Sequence, residues 1–162
     1  MEINDRLENE KQTDNVTFGS GKIYEEWNIY VATFLGGPLV GGYMLANNFK
    51  CFGDRKKMKL TWIIAVSILL LISIISFLEE LYELYIPYLL MPLGSSILAY
   101  IFAKYYQEKQ INRHLDKRGD YYGWGRTILV SLIGGAFTVL ILILFTFWWY
   151  FCFFGINELI HN

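Results

Sequence analysis

Glu79 and Glu83 are four residues apart, a spacing that sets two carboxylates on one face of a helix, where they could share a cation. Their setting favours a plainer role. Glu80 stands between them, and apolar runs flank all three, which reads as a solvated acidic turn. The other residues with chemical potential are sparse. His114 and His161, like Cys51 and Cys152, are separated by long apolar sequence, so neither a metal-ligand set nor a disulfide is expected. No Ser, Cys or Thr nucleophile stands in a recognisable relation to a base. Gly19-Ser20-Gly21-Lys22 evokes a phosphate loop, but Ile23 replaces the Ser/Thr that would hold magnesium and Val16 takes the first glycine position. Asn15-Val16-Thr17 fits the glycosylation sequon by coincidence. No catalytic, cofactor-binding or metal residue is assigned.

A second kind of chemistry is close packing. Gly37 and Gly41 are four residues apart, Gly42 and Ala46 extend the pattern, Ser95, Ala99 and Ala103 repeat it, and Ser131 and Gly135 do so again. Small residues at this spacing let helix backbones approach closely, the main source of helix association in lipid. With Pro38, these residues are the candidates for packing the helices or lining a path between them. The expectation is packing within one chain, with homo-oligomer contacts as the alternative.

The elements that must carry these residues are apolar. The 162-residue chain is 54% hydrophobic, 18% aromatic and 18% charged, where soluble domains carry about 25% charge. Four runs lack any charged residue: 27–46, 60–78, 84–103 and 127–154. About 20 apolar residues in a helix cross a hydrocarbon core about 30 Å thick. The fold class expected is therefore all-α, a polytopic membrane protein of four transmembrane helices. The transmembrane domain is expected over 27–157, with a polar tail at 1–26 and a short tail at 158–162. A nucleic-acid partner is disfavoured by the net charge of −1. The polar tail has no apolar core of a secretory signal, so the first run is expected to direct insertion. That run is interrupted by Gly36-Gly37-Pro38 and Gly41-Gly42, which leaves two readings, a kinked spanning helix or a re-entrant hairpin.

Basic residues set orientation. Loops 47–59 and 104–126 hold eleven Lys and Arg against four acids, so both are expected in the cytoplasm. The charged residues of the 79–83 turn are all acids. Four spans would put the N-terminal tail outside, whereas a re-entrant first run would leave it inside. Trp27, Tyr30, Tyr85, Tyr88 and the Trp148–Phe151 cluster are expected at outer ends. Trp62, Tyr105, Tyr106, Tyr121, Tyr122 and Trp124 are expected at inner ends. Lys56, Lys57, Lys59, Lys109, Arg113, Lys117 and Arg118 are candidates for contact with lipid headgroups.

The stretch from Ala32 through Gly36-Gly37-Pro38-Leu39-Val40-Gly41-Gly42-Tyr43 to Asn48-Phe49-Lys50 has company later in the chain. Ala99-Tyr100, Gln107, Lys109, His114, Tyr121-Tyr122 and Arg126 complete the pattern. Together they resemble a family of small bacterial four-span membrane proteins, over residues 27–145. The family pattern sets a Trp directly before the Arg, whereas Gly125 separates Trp124 from Arg126 here. The resemblance implies a bacterial inner-membrane address and no particular activity. The order of run, basic loop and run also repeats, and an offset of 57 pairs Gly37 with Gly94 and Tyr43 with Tyr100, which suggests two similar helical hairpins.

No Asp, Glu, Lys, Arg or His lies within a run, which argues against an ion-coupled transporter or pump. The function expected is a structural or interaction role, as an oligomer or an accessory subunit, without catalysis or a cofactor. A small-solute or lipid transporter or channel is the alternative. The partners expected are membrane lipids and a second membrane protein or copy.

Overall fold

The structure, a computed structural model, describes residues 21–83, 85–117 and 119–161, and the side chains of these except 80 and 153–161. It is all-helical: α1 (Glu26–Gly36), α2 (Pro38–Cys51), α3 (Arg55–Tyr82), α4 (Leu90–Asp116) and α5 (Trp124–His161).

The 27–46 run is not one helix. It forms most of α1 and α2, which fold back on each other as an antiparallel hairpin. Gly37 makes the turn, with φ 80 and ψ −178, a region that is essentially open only to glycine. Pro38 then starts α2 at the position where its missing N–H costs nothing. The arms are 11 and 14 residues long, about 16 and 21 Å, so neither is long enough to cross a membrane.

Two helices are long and apolar enough to do so, over Arg55–Glu79 and Trp124–Cys152. The four spans expected are thus not all found. The 84–103 run becomes helical only at Leu90, after Pro87, whose carbonyl accepts from the Leu90 N–H. Pro92 falls in the first turn of α4, where no intrahelical donor is lost. The second half of α4 continues through polar sequence to Asp116. At the other boundary, Glu83 ends α3 in a left-handed conformation and donates its N–H to Glu79 O, so the two acids form a helix end. The tail expected at 158–162 is helical as far as His161. The proposed repeat is not reflected either, because Gly37 turns a hairpin while Gly94 lies inside a helix.

The hairpin is the hub. Helix α3 packs along α2, while α4 and α5 pack along α1. Among the described residues, neither α3 with α4 nor α4 with α5 makes more than marginal contact. Burial follows this arrangement. Ten of the fourteen α2 residues are buried, against 22% and 11% of the apolar windows of α3 and α5. The packed region also begins before residue 27, since Ile23 and Tyr24 are fully buried.

The basic loops meet at one end of the bundle. Phe49 and Phe52 cluster there with Ile23 and Ile111, flanked by Leu115 and Tyr121. Trp27 and Tyr30, expected at an outer end, lie at this basic end instead. The hairpin brings both rings against Tyr100, and Trp27 shares a recess with Lys104.

Candidate functional site: the hairpin and its two grooves

Both ends of the hairpin are held by polar contacts. At the base, Asn48 is fully buried and accepts from the Tyr24 N–H at 2.7 Å. Its amide donates to Tyr24 O at 2.8 Å and to Gln107 Oε1 at 3.0 Å. Gln107, also fully buried, donates to Leu45 O at 3.0 Å. One asparagine therefore clips the start of the hairpin to its end and to α4. The segment before α1 is pinned further by Ile23 N donating to Asp120 O and Tyr122 N donating to Ile23 O, at 3.1 and 2.8 Å.

Tyr24 extends this site to α5. Its hydroxyl accepts from Arg126 Nε at 3.2 Å, and the guanidinium lies 4.1 Å from the centre of the Tyr122 ring. The Tyr43 hydroxyl also faces the guanidinium. Burial, opposed by the Arg126 hydrogen bond, pushes the Tyr24 phenol above its usual range, so it is neutral near pH 7. Tyr43, Asn48, Gln107, Tyr122 and Arg126 belong to the pattern that carries the resemblance, but nothing in the sequence marks them as forming one site. Asn48 and Gln107 carried a signal, being uncharged amides beside apolar runs.

At the turn, the Thr138 hydroxyl shares its proton between Gly36 O at 3.0 Å and Gly134 O of its own helix at 2.8 Å. It covers a carbonyl that the end of α1 leaves without a helical partner. A methyl on Gly135 would meet Gly36 Cα and Leu35 O, each at 3.3 Å, and one on Gly37 would meet Thr138 Cγ2 at 3.1 Å. Ser131 is buried nearby and donates to Thr127 O. A methyl on Gly41 would overlap Thr33, and one on Gly42 would overlap Ala65 of α3. Ala46 and Ala103 are buried. The small-residue candidates thus all lie at or beside the hairpin's contacts.

Two apolar grooves flank α2. One, of about 260 Å³ between α3 and α4, is lined by the candidates Pro38, Gly42, Ser95 and Ala99 among others. The other, of about 280 Å³ between α3 and α5, has Leu39, Val40 and Tyr43 as its floor, with Trp62, Val130, Ile133, Gly134 and Phe137 on its walls.

The basic candidates sit mainly on the surface. Lys56, Lys59, Lys109, Arg113 and Lys117 are exposed, while Arg118 lies outside the described residues. Lys57 is engaged by Asp54, at 3.1 Å, and lies over the Phe49 ring. Asp54 caps α3 by accepting from the Lys57 N–H. Burial alone would raise the Asp54 pKa, but the Lys57 hydrogen bonds and charge prevail and hold it below the usual carboxylate value. Cys51 is buried at the basic end and donates to Gly21 O, and Cys152 lies far along α5. His114 packs against Phe52. Among the described residues, no three His, Cys, Asp or Glu gather as a metal site.

This arrangement can hold apolar matter against α2 and can present fixed cations at one end. Searches against protein-family models, curated proteins and solved structures return no match to this chain.

Proposed function

We propose that the protein is a small integral membrane protein of a bacterial cytoplasmic membrane, with a structural or interaction role as an oligomer or accessory subunit and no catalytic activity. The bacterial setting rests on the resemblance. Helices α3 and α5 traverse the bilayer, and the 84–103 run, which becomes helical at Leu90, brings the chain back across it. The α1–α2 hairpin enters from the cytoplasmic side and returns to it. The basic loops and Lys22 then lie in the cytoplasm, and Tyr85 lies outside. Broken helices at membrane depth are tolerated only where protein or water covers the freed backbone groups. The Thr138 hydroxyl on Gly36 O is that kind of cover.

The observation that carries the role is the distribution of burial. The longest apolar helices, α3 and α5, are the least buried, while the hairpin between them is enclosed. Lipid or another protein must meet those faces. The test is purification in mild detergent or polymer discs, followed by mass measurement and identification of what copurifies. A stoichiometric partner or a defined oligomer is expected, and a bare monomer would overturn the role. Labelling of single cysteines placed at Lys22, Lys56 and Tyr85 checks the topology. Lys22 and Lys56 should label from one side and Tyr85 from the other.

A second reading, transport or conduction, draws support from one feature. The ends of α1 and α2 meet at Gly37, and half-helix ends at membrane depth commonly form solute sites. Reconstituted protein should then move solute, and failure to do so would remove this reading.

A further inference from the structure

The groove between α3 and α5 ends, on the basic side, in a set of cations and interfacial aromatics, and we infer that it is the seat of one acyl chain of an anionic phospholipid from the cytoplasmic leaflet. The inference rests on the membrane reading above and names the ligand of one of its surfaces.

The groove itself is built for hydrocarbon. Its floor is Leu39, Val40 and Tyr43 of α2, and no ionisable group other than the Tyr43 phenol lines it. Gly134 makes room for it: a methyl there would overlap Val40, so α5 lies tightly on the hairpin and the groove opens beside that contact. Its volume of about 280 Å³ suits a length of acyl chain and not a whole lipid.

The basic end supplies the other half of the ligand. Arg126 begins the α5 stripe that continues through Val130, Ile133 and Phe137 along the groove wall, at helical spacing. Its guanidinium is fixed before any ligand arrives, by the Tyr24 hydroxyl at 3.2 Å and the Tyr122 ring at 4.1 Å. Tyr43, which faces that guanidinium, is also a groove residue, so the cation stands at the groove's mouth. On the opposite wall, Lys59 precedes Trp62 by three residues on α3 and is exposed. Arginine presents five donors in a fork that matches phosphate oxygens, more than its contacts with the Tyr24 and Tyr43 hydroxyls take up. Trp62 and Tyr43 are the ring types favoured at headgroup level. Opposite charge at the mouth and hydrocarbon behind it fit a phosphatidylglycerol-type lipid better than a soluble anion, which has no use for the groove, or a zwitterionic lipid, which has no net charge to match.

The test uses the full chain, delipidated in detergent and titrated with phosphatidylglycerol or phosphatidylcholine of the same acyl chains, with bound lipid counted by native mass spectrometry. One phosphatidylglycerol per chain should be retained preferentially. Arg126→Gln and Lys59→Gln should each weaken it by about five-fold, with phosphatidylcholine little changed. Ile133→Trp, which fills the groove from an exposed position, should weaken both lipids. Glycerol phosphate should compete only at far higher concentration. Equal retention of the two lipids would overturn the inference, as would indifference to Lys59→Gln, a surface change that leaves the Tyr24 contact intact. Crosslinks showing a second copy seated in the groove would overturn it as well. The membrane reading is separated by alkaline extraction of native membranes: a chain that stays with the bilayer but shows no lipid preference refutes the groove assignment alone.

Discussion

Replacing Asn48 with Leu should be among the most damaging substitutions outside the glycines, and its cost can be worked from the contacts. The side chain is fully buried and shares leucine's branching, while leucine is bulkier, so any overpacking adds to the cost of the lost contacts. What is lost is three hydrogen bonds, at 2.7, 2.8 and 3.0 Å. The Tyr24 N–H, Tyr24 O and Gln107 Oε1 would lose those partners where water does not reach. Each buried polar group so stranded costs about 1–3 kcal/mol, and partial relaxation brings the sum to about 3–6 kcal/mol. That is a large share of a typical total of about 5–15 kcal/mol. The assay is reversible unfolding in mixed micelles, read by tryptophan fluorescence, with amide exchange at Tyr24 as a local probe. Asn47→Leu, at the adjacent and less buried position, serves as control and should change stability by less than about 0.5 kcal/mol. A double-mutant cycle of Asn48→Ala with Gln107→Ala should return a coupling of about 0.5–3 kcal/mol. If Asn48→Leu costs under 1 kcal/mol by that measurement, with the Tyr24 amide still protected, the clip does not close the hairpin and the reasoning fails.

Three further changes probe separate parts of the same unit. Gly37→Ala forces a side chain into a glycine-only conformation and against Thr138, and should cost about 1–3 kcal/mol from strain alone, measured by the same unfolding assay. Thr138→Val keeps the shape but removes the donor to Gly36 O, so a loss of about 1 kcal/mol is expected; no loss would mean that the carbonyl is covered by something else. Asp54→Ala removes the cap of α3 and should cost about 1 kcal/mol at neutral pH. Because the folded-state pKa of Asp54 lies below its unfolded value, its stabilisation is present above the unfolded pKa and disappears as pH falls through the folded one. The stability difference between Asp54→Ala and the parent should therefore close in acid, and one that persisted there would contradict the assignment.

Much of this fold is legible in the sequence because its main signals are local. Charge-free runs mark the long helices, and the two basic loops come together at one end. The Gly36-Gly37-Pro38 break is visible too, but its consequence is not. A kink and a full reversal use the same residues, and the choice is made by contacts 24 and 102 residues away in sequence, from Asn48 to Tyr24 and from Thr138 to Gly36. The side of the N-terminal segment depended on that choice, and so did the places of Trp27 and Tyr30. The polar site was harder still. Asn48 and Gln107 are 59 residues apart, and Arg126 and Tyr24 are 102 apart. No spacing rule links such residues, so their pairing emerges only when the hairpin has closed. The acidic 79–83 segment reads as a solvated turn in sequence and forms a helix end, with Glu83 exposed.

The inverted burial, with the shortest helices innermost, has a physical reason if the chain sits in a bilayer. In water, the apolar faces of α3 and α5 would be the surfaces most in need of cover. In lipid, burying them gains little, because the hydrocarbon tails are as apolar as the side chains. What needs cover there is backbone that a helix does not satisfy, and it is concentrated at the turn where α1 stops and α2 starts. The hairpin is enclosed for that reason, and its neighbours are selected by what they can bring close to it. Thr138 brings a hydroxyl, Gly135 brings a bare backbone, and Ala65 is small enough for α2 to lie against α3. Sequence change should therefore be tolerated on the outward faces of the long helices, at positions such as Leu71 and Leu144, and resisted along the two short arms. A substitution scan read by membrane-extracted yield would show the reverse order if the hairpin were only a kink in a fourth span.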